Sequence, residues 1–127
     1  MTNMRVRGIR GATTVNNNHR EEIVQGTKEL LLAMVEENQL DTQEIASIFF
    51  TVTSDLTAEF PASAARVLGW DAVPLLCATE IPVPDSKTRC IRILMHVNTN
   101  LGQQEIKHVY LREAISLRPD LSEPLDN

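Results

Sequence analysis

Aromatic side chains are scarce in this sequence, with three Phe, one Trp and one Tyr among 127 residues. Aliphatic residues and Met must therefore fill the core. Cysteine occurs only as Cys77 and Cys90, which does not resemble a disulfide-dense secreted scaffold, and both are read as reduced thiols. Long apolar runs are missing too. No stretch approaches the roughly 20 residues needed to span a bilayer, so no membrane partner is expected. No long apolar stretch follows the first basic residues, so no signal peptide is read and a cytoplasmic location is expected. A basic block is also lacking: 12 Lys and Arg stand against 17 Asp and Glu, for a formal charge of −5. Nucleic acid is a poor partner for such a chain, because its phosphates reward clustered cations. Isolated arginines remain able to build a local site for a small anion.

The familiar chemical motifs are absent as well. The sequence has no phosphate loop, dinucleotide fingerprint, CxxC pair, HExxH helix or nucleophile elbow. His19, His96 and His108 make no recognisable metal set, so no metal and no cofactor are expected.

What is present reads as one globular domain over residues 1–127, with a hydrophobic share of 43% and a charged share of 23%. Met4 to Ile9 reads as a strand, with Gly8 and Gly11 leaving room for close packing or unusual dihedrals. Asn18 is read as a helix N-cap with Glu21 three positions later. Ile23, Thr27, Leu30, Leu31, Met34 and Val35 then recur at helical spacing, up to about Asn38. Ile45 to Thr53 is β-branched and aromatic, and reads as a central strand. Pro61 opens a short helix that ends at Gly69. Val73 to Ile81 reads as a strand, and 82–89 as a turn-rich connection.

Cys90 to Thr99 carries the clearest alternation. Ile91, Ile93, Met95 and Val97 face one way, and Arg92, Leu94, His96 and Asn98 the other. Gln103 to Ile106 reads as a helical turn. His108 to Leu111 and Ala114 to Leu117 read as short strands. Pro119 begins a polar tail, 119–127, expected to be flexible. The order of elements implies an α/β (α+β) fold with one mixed sheet packed by helices.

Candidate chemistry centres on arginine. Arg10 closes the first strand beside Gly11. Arg92 lies inside an apolar strand, where a guanidinium without a partner is costly. A structural ion pair, with Glu80 among the candidates, is one explanation; oxyanion binding by a forked, always protonated group is the other. Glu80, at the end of VPLLCATE, is either solvated or engaged with a hydroxyl or Arg92. Cys77 is either a small buried hydrophobe or a thiol needing a nearby base. Tyr110 is either a packed residue with a satisfied hydroxyl or a ligand contact.

The segments RGIRGATTV, FPASAAR, GWDAVPLLCATEI, CIRILMHVNT and IKHVYLREAISLRPDL occur in this order. Together they resemble the monofunctional AroH-type, Bacillus-like chorismate mutase family over nearly the whole chain. The resemblance implies a cofactor-free homotrimer, described as a pseudo-α/β-barrel, with active sites at subunit interfaces. It implies conversion of chorismate to prephenate in phenylalanine and tyrosine biosynthesis, by an intramolecular Claisen-type rearrangement. It assigns Arg92 to the ether oxygen, Arg10 to a substrate carboxylate and Glu80 to the substrate hydroxyl. Cys77 neighbours that network, and Tyr110 contacts a carboxylate. Arg66 and Phe60 belong to the pocket mouth and wall, and Leu117 and Arg118 to a closing tail. Four features depart from the Bacillus-type pattern: Ser63 in place of a lysine, Leu76 in place of a threonine, one residue fewer between Arg66 and Gly69, and a connection at 82–89 without paired glycines. A noncatalytic small-anion-binding oligomer on the same scaffold is the alternative reading.

Overall fold

The computed structural model describes residues 4–117; Arg118 and the tail expected at 119–127 lie outside them. Five strands form one mixed sheet: β1 (Arg5–Thr14), β2 (Ile45–Val52), β3 (Leu75–Thr79), β4 (Cys90–Thr99) and β5 (Val109–Tyr110). Their spatial order is β3-β2-β4-β1-β5. The pairs β2–β3 and β1–β5 are parallel, whereas β4 runs antiparallel to both β1 and β2. Helix α1 (Arg20–Glu37) lies against one face of the sheet, and the short helix α2 (Ser63–Val67) packs against α1. The α+β architecture expected from the order of elements is the one observed.

The alternation in β4 decides which face is which. Ile91, Ile93, Met95 and Val97 are fully or almost fully buried. Ile93, Met95 and Val97 join Ile9, Ile48 and Phe50 from neighbouring strands and Leu30, Leu31 and Met34 from α1 in the main core, and Ile91 packs in a smaller cluster with Val15, Ile23, Val52 and Leu56. Gly11 lets the helix come close: a Cβ there would lie 2.5 Å from Met34 Sδ and 3.2 Å from Leu30 Cδ1. A bulge between Ile45 and Ser47 keeps Ile45 opposite Val97 and Ser47 opposite His96. Both β2 residues thus keep the face that their side chains suit.

Both helices stop by the same device. After α1, Gln39 takes a left-handed φ of 51°, and the Leu40 N–H donates to the Val35 carbonyl at 3.0 Å. After α2, Gly69 takes φ 81° and the Trp70 N–H donates to the Ala65 carbonyl at 3.0 Å. Each closure satisfies a carbonyl that the last helical turn would otherwise leave unpaired. At Gly69 the sequence announces the stop; at Gln39 a non-glycine residue bears the strain.

Several boundaries differ from the sequence reading. The first strand continues to Thr14, because β4 pairs with it along its whole length. The N-cap of α1 is His19, not Asn18. The Asn18 carboxamide is drawn away by tertiary contacts, accepting from the backbone N–H groups of Thr57 and Ala58. Glu22, rather than Glu21, reaches back to the Asn17 backbone N–H at 3.0 Å. Ala114 to Leu117 is not a strand but part of a 3-10 segment, Arg112–Leu117. The cause lies at its start: Arg112 has φ 54°, which turns the chain out of the extended path, and the Glu113 N–H is taken by Thr14 Oγ1 at 3.2 Å.

Phe50 is completely buried between the sheet and α1. Phe50→Ala is expected to cost about 3–5 kcal/mol. Urea unfolding at fixed protein concentration measures this, and a loss below about 1 kcal/mol would contradict the central place given to this ring.

Candidate functional site

Paired residues of neighbouring strands share a face of the sheet, and the register therefore assembles the site. Ala12 of β1 is paired with Arg92 on one side and with Tyr110 on the other. Its small side chain, almost fully buried, lies between a guanidinium and a phenol. Arg10 lies two residues earlier on the same face. Arg10, Gly11, Ala12, Arg92, Ile93, Tyr110 and Leu117 line a cleft of about 250 Å³. Four of the residues singled out from sequence (Arg10, Arg92, Tyr110 and Leu117) are thus brought together by one chain.

Glu80 reaches this group from the end of β3. Its backbone N–H donates to the Val52 carbonyl at 2.9 Å, which continues the pairing of β3 with β2 by one residue. Its Oε2 accepts from the Thr51 hydroxyl at 2.6 Å and lies 3.0 Å from Arg92 Nε. Thr51 is itself the register partner of Arg92. The Glu80 side chain is 18% exposed and that of Arg92 43%. The Arg92 Nε atom is buried, and its N–H is not aligned on any acceptor among the described residues. The contact with Glu80 is therefore a charge pair rather than a directed hydrogen bond. The carboxylate lowers the cost of keeping the guanidinium half-buried. Arg10 has no ion pair at all among the described residues. The cleft thus carries more positive charge than its own carboxylate neutralises, and a small anion with several oxygens suits it.

The remaining candidates lie elsewhere in the chain. Cys77 is paired with Phe50, a core residue, and so faces the helix side, whereas Glu80 and Arg92 face the other side. Cys77 and Phe60 line a second cavity of about 390 Å³ at the ends of β2 and β3. Arg66 stands exposed on α2, near enough for its charge to act on the Cys77 thiol. Burial raises the pKa of that thiol, and the Ala62 backbone and Arg66 oppose the rise only in part. The alternation of β3 prevents one chain from turning Cys77 toward Arg92.

Three participants escaped the sequence reading. Thr51 holds the Glu80 carboxylate, and Ala12 stands between Arg92 and Tyr110; the signal for each is its place in the two-residue alternation of a strand. His108 carries no motif of its own in the sequence, yet its Nδ1 accepts the Arg10 backbone N–H at 2.9 Å.

Comparison with known proteins places this geometry among relatives. A profile of the family "Chorismate mutase type I" matches residues 6–121. The chain is 56% identical over 117 residues to a chorismate mutase AroH of Thermus thermophilus, covering 91% of this chain and 96% of that protein. It is 47% identical over 120 residues to a chorismate mutase AroH of Bacillus subtilis, covering 94% of each. A solved chorismate mutase from Clostridium thermocellum superposes with a TM-score of 0.86 at 53% identity, over 87% of this chain and 98% of that one.

The two thiols should differ in reactivity. Both are free, but burial pushes Cys90 up to about 11, the Arg92 charge opposing only part of the rise. At pH 8 roughly one Cys90 in a thousand would be thiolate. Iodoacetamide should leave Cys90 unmodified in the native protein at pH 8 and label it once the chain is unfolded, as read by peptide mass mapping. Rapid native labelling of Cys90 would contradict its burial.

Proposed function

The chain belongs to the chorismate mutase type I family, and on that premise we propose how its residues divide the rearrangement of chorismate to prephenate. The reaction is an intramolecular isomerisation on the way to phenylalanine and tyrosine. A carbon–oxygen bond breaks as a carbon–carbon bond forms, with no net proton transfer. The 56% and 47% identities to named chorismate mutases favour this enzyme over a noncatalytic anion-binding oligomer.

Arg92 carries the rate enhancement. As the ether bond loosens, its oxygen gains negative charge, and a fixed guanidinium stabilises that charge more than it stabilises the bound substrate. Only this difference lowers the barrier. The observation that supports the assignment is the half-exposed Arg92 guanidinium, paired by charge with Glu80 and lining the cleft with Arg10 and Tyr110. Glu80 serves to position its neighbours. Thr51 and Arg92 both meet its Oε2, and Oε1 receives the substrate hydroxyl. Arg10 and Tyr110 hold substrate carboxylates, which keeps the reacting ends folded together. Leu117, with Arg118 beyond it, closes the cleft. No metal or cofactor enters this account.

Phe60, Cys77 and Arg66 complete the site from a second subunit of a homotrimer. Support comes from the alternation that keeps Cys77 on the face opposite Arg92. Further support comes from the sheet face that no helix among the described residues covers. Leu76, Phe49 and Leu94 form a continuous row across β3, β2 and β4, and are 58%, 44% and 38% exposed. Large apolar side chains in a contiguous row mark an association surface. The single sheet shared by all strands supports reading 1–127 as one domain. No helix among the described residues is long and apolar enough to cross a membrane, in keeping with a cytoplasmic enzyme.

Loss of chorismate absorbance, with prephenate identified as product, tests the reading directly; assembled protein that leaves chorismate at its solution rate refutes it. Arg92→Ala should lower kcat by about a hundredfold to a thousandfold, and Arg66→Ala far less, because an exposed charge at the rim is screened by solvent. Equal losses would overturn that hierarchy. Leu94→Asp should yield monomers by sedimentation, with circular dichroism preserved and activity lost. An active Leu94→Asp monomer would refute the shared site.

A further inference from the structure

Arg10 has no partner for its guanidinium among the described residues, so its position depends on the backbone beneath it. One edge of that backbone lies along β4, where Arg10 is opposite Leu94. The other edge faces β5, but β5 is only two residues long and pairs with Gly11 and Ala12. At Arg10 the parallel ladder has run out. A backbone N–H at such a point needs another acceptor or is left unpaired.

The acceptor is a side chain. His108 immediately precedes β5, and its Nδ1 takes the Arg10 N–H at 2.9 Å. An accepting Nδ1 places the proton of the neutral ring on Nε2. The backbone that leads into His108 is in turn held by the end of α1. Asn38, buried, donates from Nδ2 to the Lys107 carbonyl at 2.9 Å and accepts the Lys107 N–H on Oδ1 at 2.8 Å. The same Nδ2 donates to the Met34 carbonyl at 2.9 Å. The backbone immediately before His108 is thus clamped on both sides to the helix that anchors the core.

We propose that His108 is a positioning residue for the known reaction: its imidazole replaces a missing ladder carbonyl and fixes the strand that presents Arg10 to the substrate. The inference rests on the assignment of Arg10 to a substrate carboxylate and adds how Arg10 is held there. His108 is not part of the lining of the cleft that holds Arg10 and Arg92. Its effect is geometric, and a displacement of about 1 Å in a group that orients a substrate costs up to about a hundredfold in rate.

Chorismate kinetics on five proteins test this: wild type, H108L, H108N, R10A and the double variant R10A/H108L, each checked for assembly by sedimentation. H108L should lower kcat/KM by about tenfold or more, through the same parameter, kcat or KM, that R10A moves. H108N should recover activity to within about threefold of wild type, since the Asn Oδ1 lies near the place of Nδ1 and can accept. Adding H108L to R10A should cost nothing further, because a residue that acts only through Arg10 has no effect once Arg10 is gone. If H108L fails to assemble, H108Q replaces it, with an acceptor one methylene too far out; activity well below that of H108N is then expected. An undiminished H108L, equal activities of H108N and H108Q, or a full H108L loss in the R10A background would each overturn the proposal. Unchanged kcat/KM in R10A would instead overturn the assignment of Arg10 itself.

Discussion

A guanidinium in the middle strand of a sheet is costly to desolvate, and the arrangement around Arg92 answers that cost. Glu80 supplies the opposite charge at 3.0 Å, and Thr51 holds the carboxylate in place from the neighbouring strand. The compensation is incomplete: the charge is balanced, but the Nε donor is not aligned on an acceptor. A pair that satisfied every donor would be more stable and chemically silent. The rest of the guanidinium is half-exposed and lines the cleft with Arg10, where an anionic group can meet it.

The second constraint is the two-residue period of the strands. It sends Ile91, Ile93, Met95 and Val97 into the core under α1, and Arg92 and Leu94 to the open face. It places Ala12, Arg92 and Tyr110 in one row, and Leu76, Phe49 and Leu94 in another. The same rule separates Cys77 from Glu80, although only two residues lie between them. Core, cleft and exposed apolar row are therefore consequences of one periodicity. A change that slipped the register by one residue would exchange them all.

Much of this was legible without coordinates. The β4 pattern named both faces correctly, because alternation over ten residues leaves little ambiguity. Gly69 announced the end of α2, and Arg92 stood out as a cation inside an apolar strand. Family likeness carried Arg10, Tyr110 and Leu117, which the structure brings to one cleft. The misreadings fell where local preference yields to distant contacts. Asn18 has the chemistry of an N-cap but is taken by the Thr57–Ala58 backbone. Ala114 to Leu117 is apolar enough for a strand, but the left-handed Arg112 turns it into a 3-10 segment.

By itself the sequence determined the order of elements, the inward and outward faces of the long strands, and the residue types able to meet an anion. These follow from periodicity and side-chain chemistry, which are local. Only the tertiary structure decided which residues meet: Thr51 with Glu80, His108 with the Arg10 backbone, Asn38 with Lys107. Such pairs join positions 29 to 98 residues apart. Their meeting is set by strand order and register, which depend on how all the elements pack at once and not on any one segment.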